Sequence, residues 1–181
     1  MPAFRQATIQ KAQELSLEGP LFLDTETTGL HNTAEIIEIC IIGPDGQALL
    51  DSLVRPRRSI PPDVVRVHGI TDEMVRGAPT WLHLWPRLEA ILRGGLMGAY
   101  NAEFDLRIFQ QSHQLNGMPW RMPPLRVFDV MKLYMDFSGA PGSLKLEEVG
   151  RQCGITLPNS HRARDDALLA REVFLYIARS S

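Results

Sequence analysis

Apolar positions in this chain occur first in short runs and later at helical spacing. Turn residues separate the early runs, and the sequence Gly43-Pro44-Asp45-Gly46 between the second and third is typical of a β-hairpin. The runs predict strands at 21–23, 35–42, 47–54, 96–100 and 125–128. Helical periodicity predicts helices at 4–17, 80–93, 103–115, 129–136, 143–152 and 163–178, with two short helical segments flanking residues 68–71. This order predicts an α/β fold in which a mixed sheet carries helices on both faces.

The chain is predicted to form one globular domain preceded by a helical extension. Its 181 residues suffice for a single hydrophobic core. Residues 1–19 form the N-terminal extension, and residues 20–181 form the main domain. We expect this extension either to pack on the main domain without a further role or to dock a partner. The loop at 55–79 has the length of a functional loop, with a mobile linker as the alternative.

Composition and charge limit the classes of protein to which the chain can belong. The chain has 21 acidic residues against 19 Lys and Arg, for a net charge of −2, so it lacks the basic excess of many nucleic-acid-binding domains. Local patches and bound metal ions can still attract a polyanion. Two cysteines exclude a disulfide-rich scaffold. Because no apolar run suits a signal peptide or a membrane helix, we expect a soluble, cytoplasmic protein with no membrane partner.

Three separate elements each aim a carboxylate toward the predicted core. Asp24 and Glu26 lie two residues apart on a strand and therefore share a face. Helical phasing places Asp166 on the apolar face of the last helix and turns Asp165 away from it, while Asp105 occupies the first turn of an earlier helix. Taken singly, a solvated strand end or a favourable helix dipole explains each acid. A shared site for a hard cation explains all of them together.

His161 stands in the loop that leads into the last helix, five residues before Asp166. From that loop it can reach the same site without lying in the core. A histidine beside a metal ion acts as a ligand or as a general base, and a solvated loop histidine is the alternative.

Four ordered segments together resemble a known family. They are Phe22-Leu23-Asp24-Thr25-Glu26-Thr27-Thr28-Gly29-Leu30, then Val67-His68-Gly69-Ile70-Thr71, then Ala99-Tyr100-Asn101-Ala102-Glu103-Phe104-Asp105, and last His161-Arg162-Ala163-Arg164-Asp165-Asp166-Ala167. The set resembles the DEDDh family of 3′→5′ exonucleases, and within it the proofreading epsilon subunits of bacterial DNA polymerase III. The resemblance spans about residues 20–178.

The resemblance implies a fold, a cofactor and a set of site residues. The fold is the RNase H-like exonuclease fold, with a mixed five-stranded sheet. Two Mg²⁺ or Mn²⁺ ions would be held by Asp24, Glu26, Asp105 and Asp166, and His161 would be the general base that accepts a proton from the attacking water. The resemblance also implies a set of substrate-binding residues, with the terminal nucleotide against His68 and Asp63: Thr25, Thr27, Leu30, Asp63, His68, Asn101 and Phe104.

The activity that the resemblance implies is metal-dependent release of nucleoside 5′-monophosphates from the 3′ end of DNA, in proofreading or repair. The expected partner is a single-stranded or frayed DNA 3′ end, with RNA and a DNA polymerase subunit as further candidates. Residues 27–30 favour the DNA branch. Two alternatives stay open: an RNA-trimming exoribonuclease of the same family, which shares the acids, and a non-catalytic nucleic-acid-binding module.

Overall fold

The computed structural model describes residues 2–155 and 161–181 of the chain. Every predicted helix and strand is present, with bounds shifted by a few residues. The strands are β1 (Leu21–Thr27), β2 (Ile36–Ile42), β3 (Ala48–Leu53), β4 (Leu96–Ala99) and β5 (Arg126–Asp129). The helices are α1 (Pro2–Leu17), α2 (Pro62–His68), α3 (Asp72–Val75), α4 (Trp81–Leu92), α5 (Ala102–Leu115), α6 (Val130–Ser138), α7 (Leu146–Gln152) and α8 (Ala163–Arg179).

The five strands form one mixed sheet in the order β3-β2-β1-β4-β5. The first three strands pair antiparallel, whereas β4 pairs parallel with both β1 and β5. The hairpin between β2 and β3 is present as predicted, because Gly43 closes the turn with a hydrogen bond to Gln47. The predicted mixed five-stranded sheet is confirmed.

Helices cover both faces of the sheet, so β2 is buried along its whole length. Side chains alternate across β1: Phe22 packs with α1, α6 and α8, whereas Leu21 and Leu23 pack with α4 and α5. The helix α1 is anchored in the first of these two layers, since Ile9 and Ala12 are fully buried there. Its Gln13 side chain also donates a hydrogen bond to a carbonyl near the end of α8.

The end of β1 projects beyond its parallel neighbour β4. The last pair between these strands is Leu23 with Ala99, after which β4 ends and the chain turns into α5. The strand β1 continues for four residues beyond this pair, whereas the apolar pattern predicted that it would end at residue 23. Asp24 and Glu26 therefore lie at the carboxyl edge of the parallel strands, where α/β sheets place their binding sites.

Within the described residues, no helix has the length and apolar character needed to cross a membrane.

Candidate active site

Three of the predicted carboxylates converge at this edge of the sheet. Each of Asp24, Glu26 and Asp166 offers a carboxylate oxygen, and these oxygens lie within 4.8 Å of one another. The two acids on β1 point to the same face of the strand as Phe22. They therefore face α8, whose first turn carries Asp166. Asp165 is outside this group, in agreement with the helical phasing. We call Asp24, Glu26 and Asp166 the carboxylate cluster.

Asp105 approaches the same edge from the helix layer on the other side of the sheet. Its side chain is buried at 2% exposure in the first turn of α5, and its Oδ1 accepts a hydrogen bond of 2.9 Å from the Thr25 hydroxyl. The Thr25 side chain points to the face of β1 opposite to Asp24. Because Asp105 bonds to Thr25 on that face, it is not one of the three converging acids. It lies close enough that its negative charge raises the pKa of Asp24.

Burial and mutual repulsion make these acids reluctant to ionise. Loss of hydration is the main cause in each case: it raises the pKa of Glu26 to about 8, of Asp105 to about 7 and of Asp166 to about 6, and it raises that of Asp24 well above its usual value. Repulsion from neighbouring acids adds to the shift at Asp24 and Glu26. A cation that binds between the carboxylates removes both costs, and oxygen ligands of this kind suit Mg²⁺ or Mn²⁺.

These raised pKa values predict how stability depends on pH without metal. A carboxyl group whose pKa is higher in the folded chain favours folding while protonated, and that contribution is lost as the pH rises through the folded pKa. In EDTA we expect the melting temperature to fall between about pH 5 and pH 8. Added Mn²⁺ should raise it by several degrees at the upper pH and much less at the lower one. Differential scanning fluorimetry measures both effects.

The variant Glu26→Gln is the matched control for this prediction. Its amide cannot ionise, so the metal-free variant should lose less stability than the parent chain over the same pH range. If the parent and the variant show the same pH dependence, or if Mn²⁺ stabilises the parent equally at both pH values, the proposed origin of the effect is wrong.

His161 lies at the rim of the carboxylate cluster. Its side chain is about half exposed, and its backbone amide donates a hydrogen bond of 3.2 Å to Asp166 Oδ2. The imidazole Nε2 is 3.1 Å from Oε1 of Glu147 on α7. The structure thus brings His161 to the site as predicted, and adds Glu147, which the sequence did not indicate.

Two strained backbone positions adjoin the site. In the described part of the chain, Asn101 and His161 are the two residues other than glycine with positive φ, at 64° and 65°. Asn101 immediately precedes α5, which carries Asp105. His161 lies shortly before α8, which carries Asp166. Left-handed backbone is costly for such residues and concentrates at functional sites.

The predicted substrate-binding threonines use their hydroxyls inside the protein. Thr25 donates to Asp105, and Thr27 donates a hydrogen bond of 2.8 Å to the Gly29 carbonyl, so neither hydroxyl has its proton free to donate to a ligand. Leu30 is the opposite case, with 79% of its surface exposed just beyond β1.

The other predicted substrate residues differ in exposure. His68 is buried at 5% exposure, and its Nδ1 accepts a hydrogen bond from the Ile70 amide, which leaves Nε2 as the N–H nitrogen, directed at the Thr27 backbone carbonyl. Asp63 is exposed in the first turn of α2. Asn101 is exposed before α5, and Phe104 is half-buried with Arg107 stacked on its ring.

Sequence reasoning missed an ion pair beside the cluster, in which a buried carboxylate meets a partly exposed arginine. Glu38 is directly opposite Glu26 on the neighbouring strand β2, and it accepts hydrogen bonds from the Arg162 guanidinium. The available signal was a single charged residue inside the apolar run of β2. Its partner was not identifiable, because the two residues lie 124 positions apart.

Comparison with known proteins agrees with this geometry. The sequence profile described as Exonuclease (RNase_T) matches residues 21–174, which include all the site acids. The chain belongs to the exonuclease family. The match begins at β1, so α1 precedes the region shared across this family of nucleases.

Relatives of this exonuclease include phage and bacterial proteins. An uncharacterized exonuclease of Escherichia phage 186 is 34% identical over 96% of this chain and 95% of its own length. The DNA polymerase III subunit epsilon of Treponema pallidum is 31% identical over 83% of this chain and 72% of its own length. The predicted resemblance to epsilon subunits is confirmed.

Solved structures show the same fold. Exonuclease X in complex with 5′ overhanging duplex DNA is 27% identical, with a TM-score of 0.69 over 89% of this chain and 92% of that one. The nuclease domain of 3′hExo, described as a DEDDh family member bound to rAMP, has a TM-score of 0.75 at 17% identity, over 86% of this chain and 89% of that one. These likenesses confirm the predicted RNase H-like exonuclease fold.

Proposed function

We propose that this exonuclease is a metal-dependent 3′→5′ exonuclease that removes nucleoside 5′-monophosphates from DNA. The convergence of Asp24, Glu26 and Asp166 at the sheet edge, with Asp105 and His161 beside them, carries this proposal. A non-catalytic binding module has no need of buried acids that resist ionisation. The likeness to Exonuclease X, solved with duplex DNA, supports DNA as the substrate.

The residues of this chain have separate roles in the proposed reaction. Asp24, Glu26, Asp105 and Asp166 would hold two Mg²⁺ or Mn²⁺ ions. When bound, two divalent cations stabilise the charge on the attacking and leaving oxygens of a phosphodiester. His161 accepts the proton of the attacking water at Nε2. That nitrogen faces Glu147 in this structure, so the base role requires the imidazole to leave the Glu147 carboxylate.

The partly exposed residues would bind the terminal nucleotides. His68 would line the pocket of the terminal nucleotide, and Asp63, Asn101 and Phe104 would contribute to the same pocket. Because the hydroxyl protons of Thr25 and Thr27 are donated within the protein, these two residues would meet the substrate as hydrogen-bond acceptors or after rearrangement. Binding to a DNA polymerase subunit and a location in the cytoplasm remain predictions from the sequence.

Matched DNA and RNA oligomers labelled at either end test the proposed function. With Mg²⁺, the 5′-labelled DNA should shorten progressively, and the 3′-labelled DNA should release its label at once as a mononucleotide. Full chelation with EDTA should stop both reactions. Activity that survives chelation, or that requires a free 5′ end, refutes the proposal. Cleavage of RNA alone would favour the exoribonuclease alternative.

Leu30 offers a test of substrate contact. Its exposed side chain would pack against the last bases, so Leu30→Ala should raise KM for the DNA 3′ end about three- to tenfold through lost apolar burial. The melting temperature should not change. Leu17→Ala, at an 89% exposed leucine at the end of α1, is the matched control. Equal KM values for the two variants would remove Leu30 from the substrate site.

A further inference from the structure

The ion pair between Glu38 and Arg162 connects the middle of the sheet to the start of α8. Glu38 is 2% exposed, and both of its carboxylate oxygens are 3.1 Å from Arg162 Nε. Arg162 Nη2 donates to the same carboxylate, so the guanidinium binds it through two nitrogens. The backbone amide of Ala163 is a third donor to this carboxylate, 3.0 Å from Glu38 Oε2. One buried carboxylate is thus fully occupied by the first residues of α8 and its cap.

This carboxylate replaces the missing N-cap of α8. Arg162 occupies the N-cap position and makes no side-chain capping bond of its own. Glu38 caps the helix instead from the neighbouring strand, because it accepts the Ala163 amide, one of the orphan donors of the first turn. The orientation of α8 relative to the sheet is therefore fixed at this point.

The same short segment carries the site residues of α8. Arg162 lies next to His161, and its carbonyl accepts the amide of Asp166. The His161 amide in turn donates to the Asp166 carboxylate. A displacement of Arg162 would consequently move both His161 and Asp166 relative to the acids on β1.

Stability alone does not account for a pair at this place. The Glu38 carboxylate loses its hydration in this ion pair, whereas the Arg162 side chain stays 40% exposed, so the pair contributes little net stability. Glu38 also adds a negative charge opposite Glu26, beside a carboxylate cluster whose acids already repel one another. Arg162 compensates this charge, and the bidentate geometry fixes its direction.

We propose that Glu38 and Arg162 are positioning residues, which hold the first turn of α8 so that Asp166 and His161 meet the acids of β1. This inference rests on the proposed function. It predicts that the pair controls kcat and metal affinity more than KM for nucleic acid, because neither residue needs to touch the substrate.

Single substitutions at Arg162 give the first test. Arg162→Lys keeps the positive charge and loses the planar fork, so the protein should fold while kcat falls about tenfold. Arg162→Gln leaves Glu38 buried without a countercharge. We expect it to lower kcat about 100-fold, to weaken Mn²⁺ binding about tenfold and to lower the melting temperature by about 10 °C.

The double variant Glu38→Gln with Arg162→Gln separates positioning from stability. Two amides can hydrogen-bond to each other without a buried charge, so the melting temperature should return most of the way to that of the parent. The guanidinium clamp is still absent, so kcat and Mn²⁺ affinity should stay at least about tenfold below the parent. Arg93→Gln, which breaks an exposed ion pair with Glu89 on α4, is the control and should match the parent.

The outcomes distinguish this inference from the proposed function. If the double variant regains kcat and Mn²⁺ affinity together with stability, or if Arg162→Lys retains full kcat, the positioning role is refuted. If the parent shows no turnover of any labelled oligomer, the proposed function fails instead, and calorimetric Mn²⁺ titration of the variants still tests the geometry.

Discussion

Asp166→Asn is expected to lower turnover of a DNA 3′ end by about 10³-fold or more, which corresponds to the several kcal/mol that a catalytic metal ion supplies. Asp166 is one of the three acids that converge within 4.8 Å, and an asparagine keeps its shape while it removes the charge that holds a divalent cation. Because the carboxyl group is partly buried and its pKa is raised, the metal-free variant should be at least as stable as the parent.

Asp165→Asn is the control, since it changes the adjacent residue by the same atoms. Asp165 is outside the carboxylate cluster, so this variant should keep most of the parent activity. Rates of label release under excess Mg²⁺ measure both effects. If Asp165→Asn is the inactive variant and Asp166→Asn the active one, the orientation of α8 toward β1 is wrong.

His161→Ala should reduce kcat by about 10²–10⁴-fold, the usual contribution of a general base. Its Mn²⁺ affinity should stay close to that of the parent, because the acids suffice as ligands for hard cations. Turnover under saturating Mn²⁺ and calorimetric titration measure the two quantities. A large loss of Mn²⁺ affinity would identify His161 as a ligand and would overturn its assignment as the base.

Glu147→Gln is the companion variant for this prediction. It removes the carboxylate that faces His161 Nε2 and leaves the cluster itself unchanged. Its fold should persist, because Glu147 is partly exposed on α7. Comparison of the kcat of Glu147→Gln with that of His161→Ala shows whether the function of His161 as a base depends on Glu147.

Local periodicity was sufficient to predict the architecture and the faces on which Asp24, Glu26 and Asp166 lie. The alternation in β1 placed Asp24 and Glu26 on one face, and the helical period placed Asp166 rather than Asp165 inward. Both follow from backbone geometry that acts over a few residues. For the same reason the hairpin between β2 and β3 was predictable from its turn residues.

Contacts between distant segments were not predictable in this way. The burial of Glu38 gave no indication that its partner is Arg162, because β2 is covered on both faces and shows no alternation. Likewise, the sequence grouped Asp105 with the other acids, whereas it enters from the opposite helix layer and contacts Thr25. The internal hydrogen bonds of Thr25 and Thr27 also depend on tertiary structure that local patterns do not encode.

Calorimetric titration of the parent chain with Mn²⁺ at about pH 8 tests most directly whether these buried acids form a divalent-metal site. We expect saturable binding of about two ions per chain, with proton release because Glu26 is partly protonated at that pH. Asp24→Asn should abolish at least one of the two binding events. Absence of saturable binding to the parent, or an isotherm that Asp24→Asn leaves unchanged, would show that these acids do not form a divalent-metal site.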